Sequence, residues 1–117
     1  MPPHTYKSEY PPDTQIDDGI KTFFENFYQT SDTPTPEAHE KYAAAFTRDA
    51  ELVMISKVAR GYEEILELRK DMWTAVHSRL HTPVKVYPFG SGAGVDEVML
   101  YGSVGYVLKD GRKTDVS

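Results

Sequence analysis

The stretch Tyr42–Ile65, YAAAFTRDAELVMISKVARGYEEI, holds the end of one helix, a strand and the start of another helix. Pro36 suits the first turn of the helix that ends here, and Ala38, Tyr42, Ala45 and Phe46 fall on one face of it. Asp49 stops that helix, and Leu52-Val53-Met54-Ile55 follows as a short apolar run suited to a strand. Just past Gly61 a second helical pattern begins, with Ile65, Leu66, Leu68, Arg69, Met72, Trp73 and Val76 forming a broad apolar stripe that reads as core.

Upstream, Thr14-Gln15-Ile16-Asp17 resembles a helix cap with an acidic partner, Asp17 and Asp18 suit a first helical turn, and Ile20, Phe23, Phe24, Phe27 and Tyr28 recur at helical spacing. Ser31–Pro36 breaks this helix with an aspartate, two prolines and hydroxyl side chains. Residues 1–13 carry four of the eight prolines and little that would enter a core, so they read as a mobile arm before a single domain over 14–117.

Downstream of His77 the period changes from helical to alternating. Leu80, Thr82, Val84 and Val86 alternate with His81, Lys85, Tyr87 and Phe89, as in a half-buried strand. Gly90–Gly94, GSGAG, reads as a flexible connection, since no lysine follows and no helix opens there to make a phosphate loop. A second long strand covers Glu97–Leu108, where Gly102 and Gly105 suggest a bulge or bend. Asp110-Gly111 is a hairpin signal, and the strand returning from it is short. The sheet is therefore expected to be truncated at its C-terminal end, completed either by another chain or by a further segment.

Composition narrows the function classes. Net charge is −5, with no stripe of lysine and arginine, so no nucleic-acid partner is expected. Cysteine is absent, which excludes thiol nucleophiles and cysteine-based metal sites. No segment approaches the roughly 20 apolar residues of a membrane span, and no secretory leader is read at the start. A cytoplasmic protein with no membrane partner is the expectation.

Three helices followed by long antiparallel strands, with Phe46, Asp49-Ala50 and Gly61 at these positions, resemble the nuclear transport factor 2-like superfamily over roughly residues 15–117. Within it the chain is similar to the SnoaL-like group, small fungal members above all. The resemblance implies an α+β fold: three N-terminal helices packed on a strongly curved antiparallel sheet, a cone-like cup that holds a small apolar or aromatic molecule. The cup lining expected from this reading is Phe24, Phe27, Met54, Trp73, Tyr87 and Tyr101. Family members include isomerases, dehydratases, hydrolases and adaptors, so the fold leaves the activity open. An isomerase-like base would fall near Met54 and its tyrosine near Phe24, neither of which carries the chemistry. A dehydratase-like site uses histidines and tyrosines, and His77, His81, Tyr87, Tyr101 and Tyr106 supply those types. An epoxide hydrolase-like site would need acids flanking Arg79, which Asp96 and Asp115 do not provide by position.

His77 and His81 are the candidate proton carriers, since imidazole titrates near neutrality. Trp73 and His77 lie four apart, on one face if the third helix extends that far. The alternative reading is a core tryptophan beside a helix-terminal histidine. Arg60 and Arg69 are expected to pair with Glu63, Glu64 or Glu67 on the surface. No metal or other cofactor is expected. Two functions stay open: a metabolite-binding cup related to lyases and isomerases, or a homodimer or adaptor associating through the sheet face that carries His81, Tyr87, Met99 and Tyr101.

Overall fold

The computed structural model describes residues 4–90 and 95–117. It contains α1 (Asp18–Ser31), α2 (Pro36–Ala44), β1 (Glu51–Met54), β2 (Lys57–Arg60), α3 (Gly61–Asp71), β3 (Val76–Pro88), β4 (Val98–Leu108) and β5 (Lys113–Val116). Three helices therefore accompany a curved antiparallel sheet, an α+β architecture. Residues 91–94, most of the segment read as a flexible connection, lie outside the described residues.

Local chemistry explains the boundaries. The Asp17 side chain accepts from Gly19 N at the start of α1, and Thr35 Oγ1 accepts from Ala38 N at the start of α2 with Pro36 in the first turn. β1 and β2 form a tight antiparallel hairpin, Met54 opposite Lys57. Sequence reading assigned only its first arm, because Lys57-Val58-Ala59-Arg60 has neither a turn glycine nor a run of apolar residues. The turn instead places Ile55 at φ 56°. Gly61 takes φ 77°, donates its N–H to Ala50 O and so swings the chain from β2 directly into α3.

Helix α3 is shorter than its apolar stripe. It ends at Asp71, and Trp73 N and Thr74 N bond back to Lys70 O and Asp71 O in tight turns before β3 begins. Trp73 and His77 therefore do not share a helix face: Trp73 is buried beyond the helix end, and His77 stands exposed at an irregularity between Val76 and Ser78. The core joins Tyr42 and Ala43 of α2, Ala59 of β2, and Ile65 and Leu68 of α3, with Phe27, Phe46, Leu52, Leu66 and Met72 packed around them.

The larger sheet has the order β3-β4-β5, all antiparallel. Up to Pro83 the inward positions of β3 are Arg79, His81 and Pro83, opposite Tyr106, Val104 and Gly102. Between Pro83 and Lys85 the register slips by one residue, so Val86 and Pro88 point inward afterwards, opposite Leu100 and Val98. A bulge was suggested by the glycines of β4, and it falls on β3 opposite Gly102. A Cβ on Gly102 would stand 2.5 Å from Thr82 O and 2.9 Å from Pro83 Cα, so the crossing needs glycine.

The slip also divides a face that strict alternation keeps together. His81 points inward, whereas Tyr87, Met99 and Tyr101 belong to the outer face. Residues preceding α1 run beside the bulge: Glu9 N donates to Val84 O, Val86 N donates to Glu9 O, and Tyr6 reaches α1's C-terminal end at Asp32.

Candidate functional site

Two buried arginines and one buried aspartate organise the space between the helices and the inner sheet face. Arg69, on α3, is fully buried, which corrects the expectation of a surface ion pair. Its Nη1 donates to Ser31 O at 2.6 Å, its Nη2 to Thr30 O at 3.0 Å and Thr33 O at 2.7 Å, and its Nε to His39 Nδ1 at 3.0 Å. A cation thus satisfies carbonyls at the C-terminal end of α1, where the helix dipole favours positive charge. The glutamates proposed as its partners take no part. Glu64 accepts instead from Arg60 N, and the Arg60 guanidinium pairs with Glu51 on the surface.

Asp32 follows the last residue of α1, and its carboxylate is committed to three donors. Oδ1 lies 2.6 Å from His81 Nδ1, and Oδ2 accepts from His81 N at 2.8 Å and from the Tyr6 phenol at 2.8 Å. The Asp32 side chain is 6% exposed. Burial first, and then the Asp32 carboxylate, push the Tyr6 pKa well up, so the phenol remains a donor. The His81 ring tilts over Tyr28 with centroids 5.0 Å apart. Its Nε2 has no protein partner among the described residues.

His81 borders a cavity of about 390 Å³ between the helices and the sheet. Phe27, Tyr28, Tyr42 and Phe46 wall it from the helices, Leu52 and Met54 from β1, and Arg79, Pro83, Leu100, Val104 and Tyr106 from the sheet. The lining is mainly apolar with a few polar groups.

Arg79 lies two residues before His81 on the same inward face. Its guanidinium stacks on Trp73 at 4.3 Å and stands 5.3 Å from the Tyr106 ring, and Nη2 donates to Met72 O. Neither flanking strand position brings an acid to it; Tyr106 is its cross-strand partner. The acid–arginine–acid arrangement is therefore absent among the described residues.

Of the residues expected from sequence, His81, Phe27, Met54 and Tyr101 border the cavity. Tyr101 does so from a position opposite Lys85, with its side chain 56% exposed. Phe24, Trp73, Tyr87 and His77 are not part of the lining. Trp73 acts one layer back, beneath Arg79. Asp32 was not singled out, since an aspartate among prolines and threonines reads as a helix breaker. Arg79, weighed only against the acid pair it lacks, carried no other signal than an arginine in an alternating strand. No group of three or more potential metal ligands occurs among the described residues. No helix among them is long and apolar enough to cross a membrane.

No protein-family model matches the sequence, and no curated protein matches it. The fold is similar to the crystal structure of an NTF2-like protein of unknown function from Exiguobacterium sp. 255-15, with a TM-score of 0.66 and 17% sequence identity. The similarity covers 80% of this chain and 78% of the other.

Proposed function

We propose that this NTF2-like fold binds a small, mainly apolar molecule in its cavity and moves a proton on it through His81. The observation that carries the reading is the 2.6 Å contact between His81 Nδ1 and the buried Asp32 carboxylate at the edge of an aromatic-lined cavity. A carboxylate at that distance favours the tautomer with hydrogen on Nδ1, which leaves Nε2 as the basic atom. When Nε2 takes a proton, Asp32 stabilises the imidazolium and the backbone bond from His81 N keeps the ring's base in place. A proton returned to a different carbon gives an isomerisation. Returned to a departing hydroxyl, it releases water and gives a lyase step.

The reading is tested with neutral 2-naphthol by NMR. Its addition is expected to shift resonances of Tyr28, Phe46, Leu100 and Val104 together with the His81 imidazole. Asp32→Asn is expected to move His81 from the Nδ1–H form toward a mixture of tautomers and to cost about 1–3 kcal/mol of stability. Shifts confined to the outer sheet face, or an unchanged His81 tautomer in the variant, would defeat the reading.

A second reading rests on a separate observation. The outer sheet face exposes Leu80, Tyr87, Met99 and Tyr101, large apolar and aromatic side chains on one surface. We propose homodimer formation through that face, which is compatible with a ligand on the inner one.

A further inference from the structure

We infer that Arg79 is a recognition site for the carboxylate of an otherwise apolar ligand, so that the cavity selects small aromatic or aliphatic acids. The inference deepens the cavity reading and rests on it. Its starting point is the difference between two guanidiniums buried in one core. Arg69 has four acceptors, three carbonyls and an imidazole nitrogen. Arg79 is 7% exposed, yet among the described residues it has a single acceptor, Met72 O, and its Nε is buried without one. A buried cation whose donors are left over is costly, and an anion is the group that answers both the charge and the donors.

Nothing in the surrounding protein supplies that anion among the described residues. The nearby buried carboxylate, Asp32, is already shared among His81 Nδ1, His81 N and Tyr6. The interior thus sets two guanidiniums against one carboxylate, and burial lowers the pKa of both arginines, Arg69 to about 10. At neutral pH both remain charged. Arg79 also borders the cavity, so a ligand held there meets its side chain.

The stacking on Trp73, with Tyr106 on the opposite strand, fixes the plane of the guanidinium, as two-pronged carboxylate binding requires. Position on the strand adds a constraint on the ligand. Arg79 and His81 are neighbours on one face, roughly 6–7 Å apart along the strand. A carboxylate held by Arg79 therefore places the apolar body of the ligand within reach of His81.

The test compares 2-naphthoate with its neutral isostere 2-naphthamide by calorimetry. The acid is expected to bind at least about tenfold more tightly than the amide. Arg79→Met is expected to erase that preference. Arg79→Lys, which keeps the charge and loses the fork, is expected to fall between. In the unaltered protein, where folding of a variant is not at issue, the Arg79 Nε–H resonance is expected to move with naphthoate and not with naphthamide. Equal affinities for acid and amide overturn the inference and leave the cavity reading standing, as does a preference for the acid that survives Arg79→Met. If neither compound binds at millimolar concentration, both fall together.

Discussion

His39 shows how one side chain ties stability to pH. Its Nδ1 accepts from Arg69 Nε, so the bond exists only while that nitrogen is unprotonated. Burial, and then the charges of Arg69, Lys70 and Arg79, lower its pKa below the ordinary 6.5. The unfolded chain therefore binds a proton before the folded one does. The resulting stability is complete above pH 6.5 and is lost as pH falls through the lowered folded value. Urea midpoints taken at about pH 8 and about pH 5 are expected to differ more for the parent protein than for His39→Gln, which cannot titrate there. An equal decline in both proteins would remove His39 from the acid response. None of this was legible in the sequence. Arg69 sits among Glu63, Glu64 and Glu67, and helical spacing alone suggests surface pairs. The fold instead buries it against carbonyls some 30 to 40 residues earlier.

The β3–β4 pair is the element that decides which side chains meet the cavity. Its one-residue slip turns Val86 inward and sends Tyr87 out, and Gly102 lets the two backbones approach where the slip occurs. Gly102→Ala would place a Cβ against backbone on Thr82 and Pro83, which cannot rotate away, and is expected to cost about 1–3 kcal/mol. Gly105→Ala meets only the Asp115 side chain at 2.9 Å, which can rotate away, so its cost is expected below about 1 kcal/mol. Thermal unfolding of the two variants checks this, and equal losses would mean that the crossing at Gly102 is not tight. At this scale the sequence was partly readable. Helix starts at Pro36 and Gly61 follow from local capping and turn chemistry, whereas the first helix is capped by Asp17 and not by Thr14, and the glycines of β4 announced an irregularity. What no periodicity carried was the strand on which the extra residue falls, and that alone decides why His81 and Tyr87 part company.

For the whole molecule, the slip separates two surfaces that strict alternation would have merged. Arg79, His81 and Pro83 share the cavity with the aromatic faces of α1 and α2, while Leu80, Tyr87 and Met99 face away from it. Met99 is 72% exposed and takes no part in the cavity lining, so it probes the outer surface without touching the inner one. If copies of the chain associate there, Met99 becomes buried and a carboxylate in its place must be desolvated without a partner. Met99→Glu is then expected to weaken association by about 2 kcal/mol or more, at least about thirtyfold in dissociation constant. Sedimentation velocity should show a dimer for the parent protein and a monomer for the variant at the same concentration. Affinity for 2-naphthoate should stay the same in both, because Arg79 lies on the opposite side of the sheet. A dimer that persists in Met99→Glu, or a parent protein that sediments as a monomer, would exclude association through this face. A naphthoate affinity that falls with dimer dissociation would mean instead that the cavity depends on its partner copy for shape.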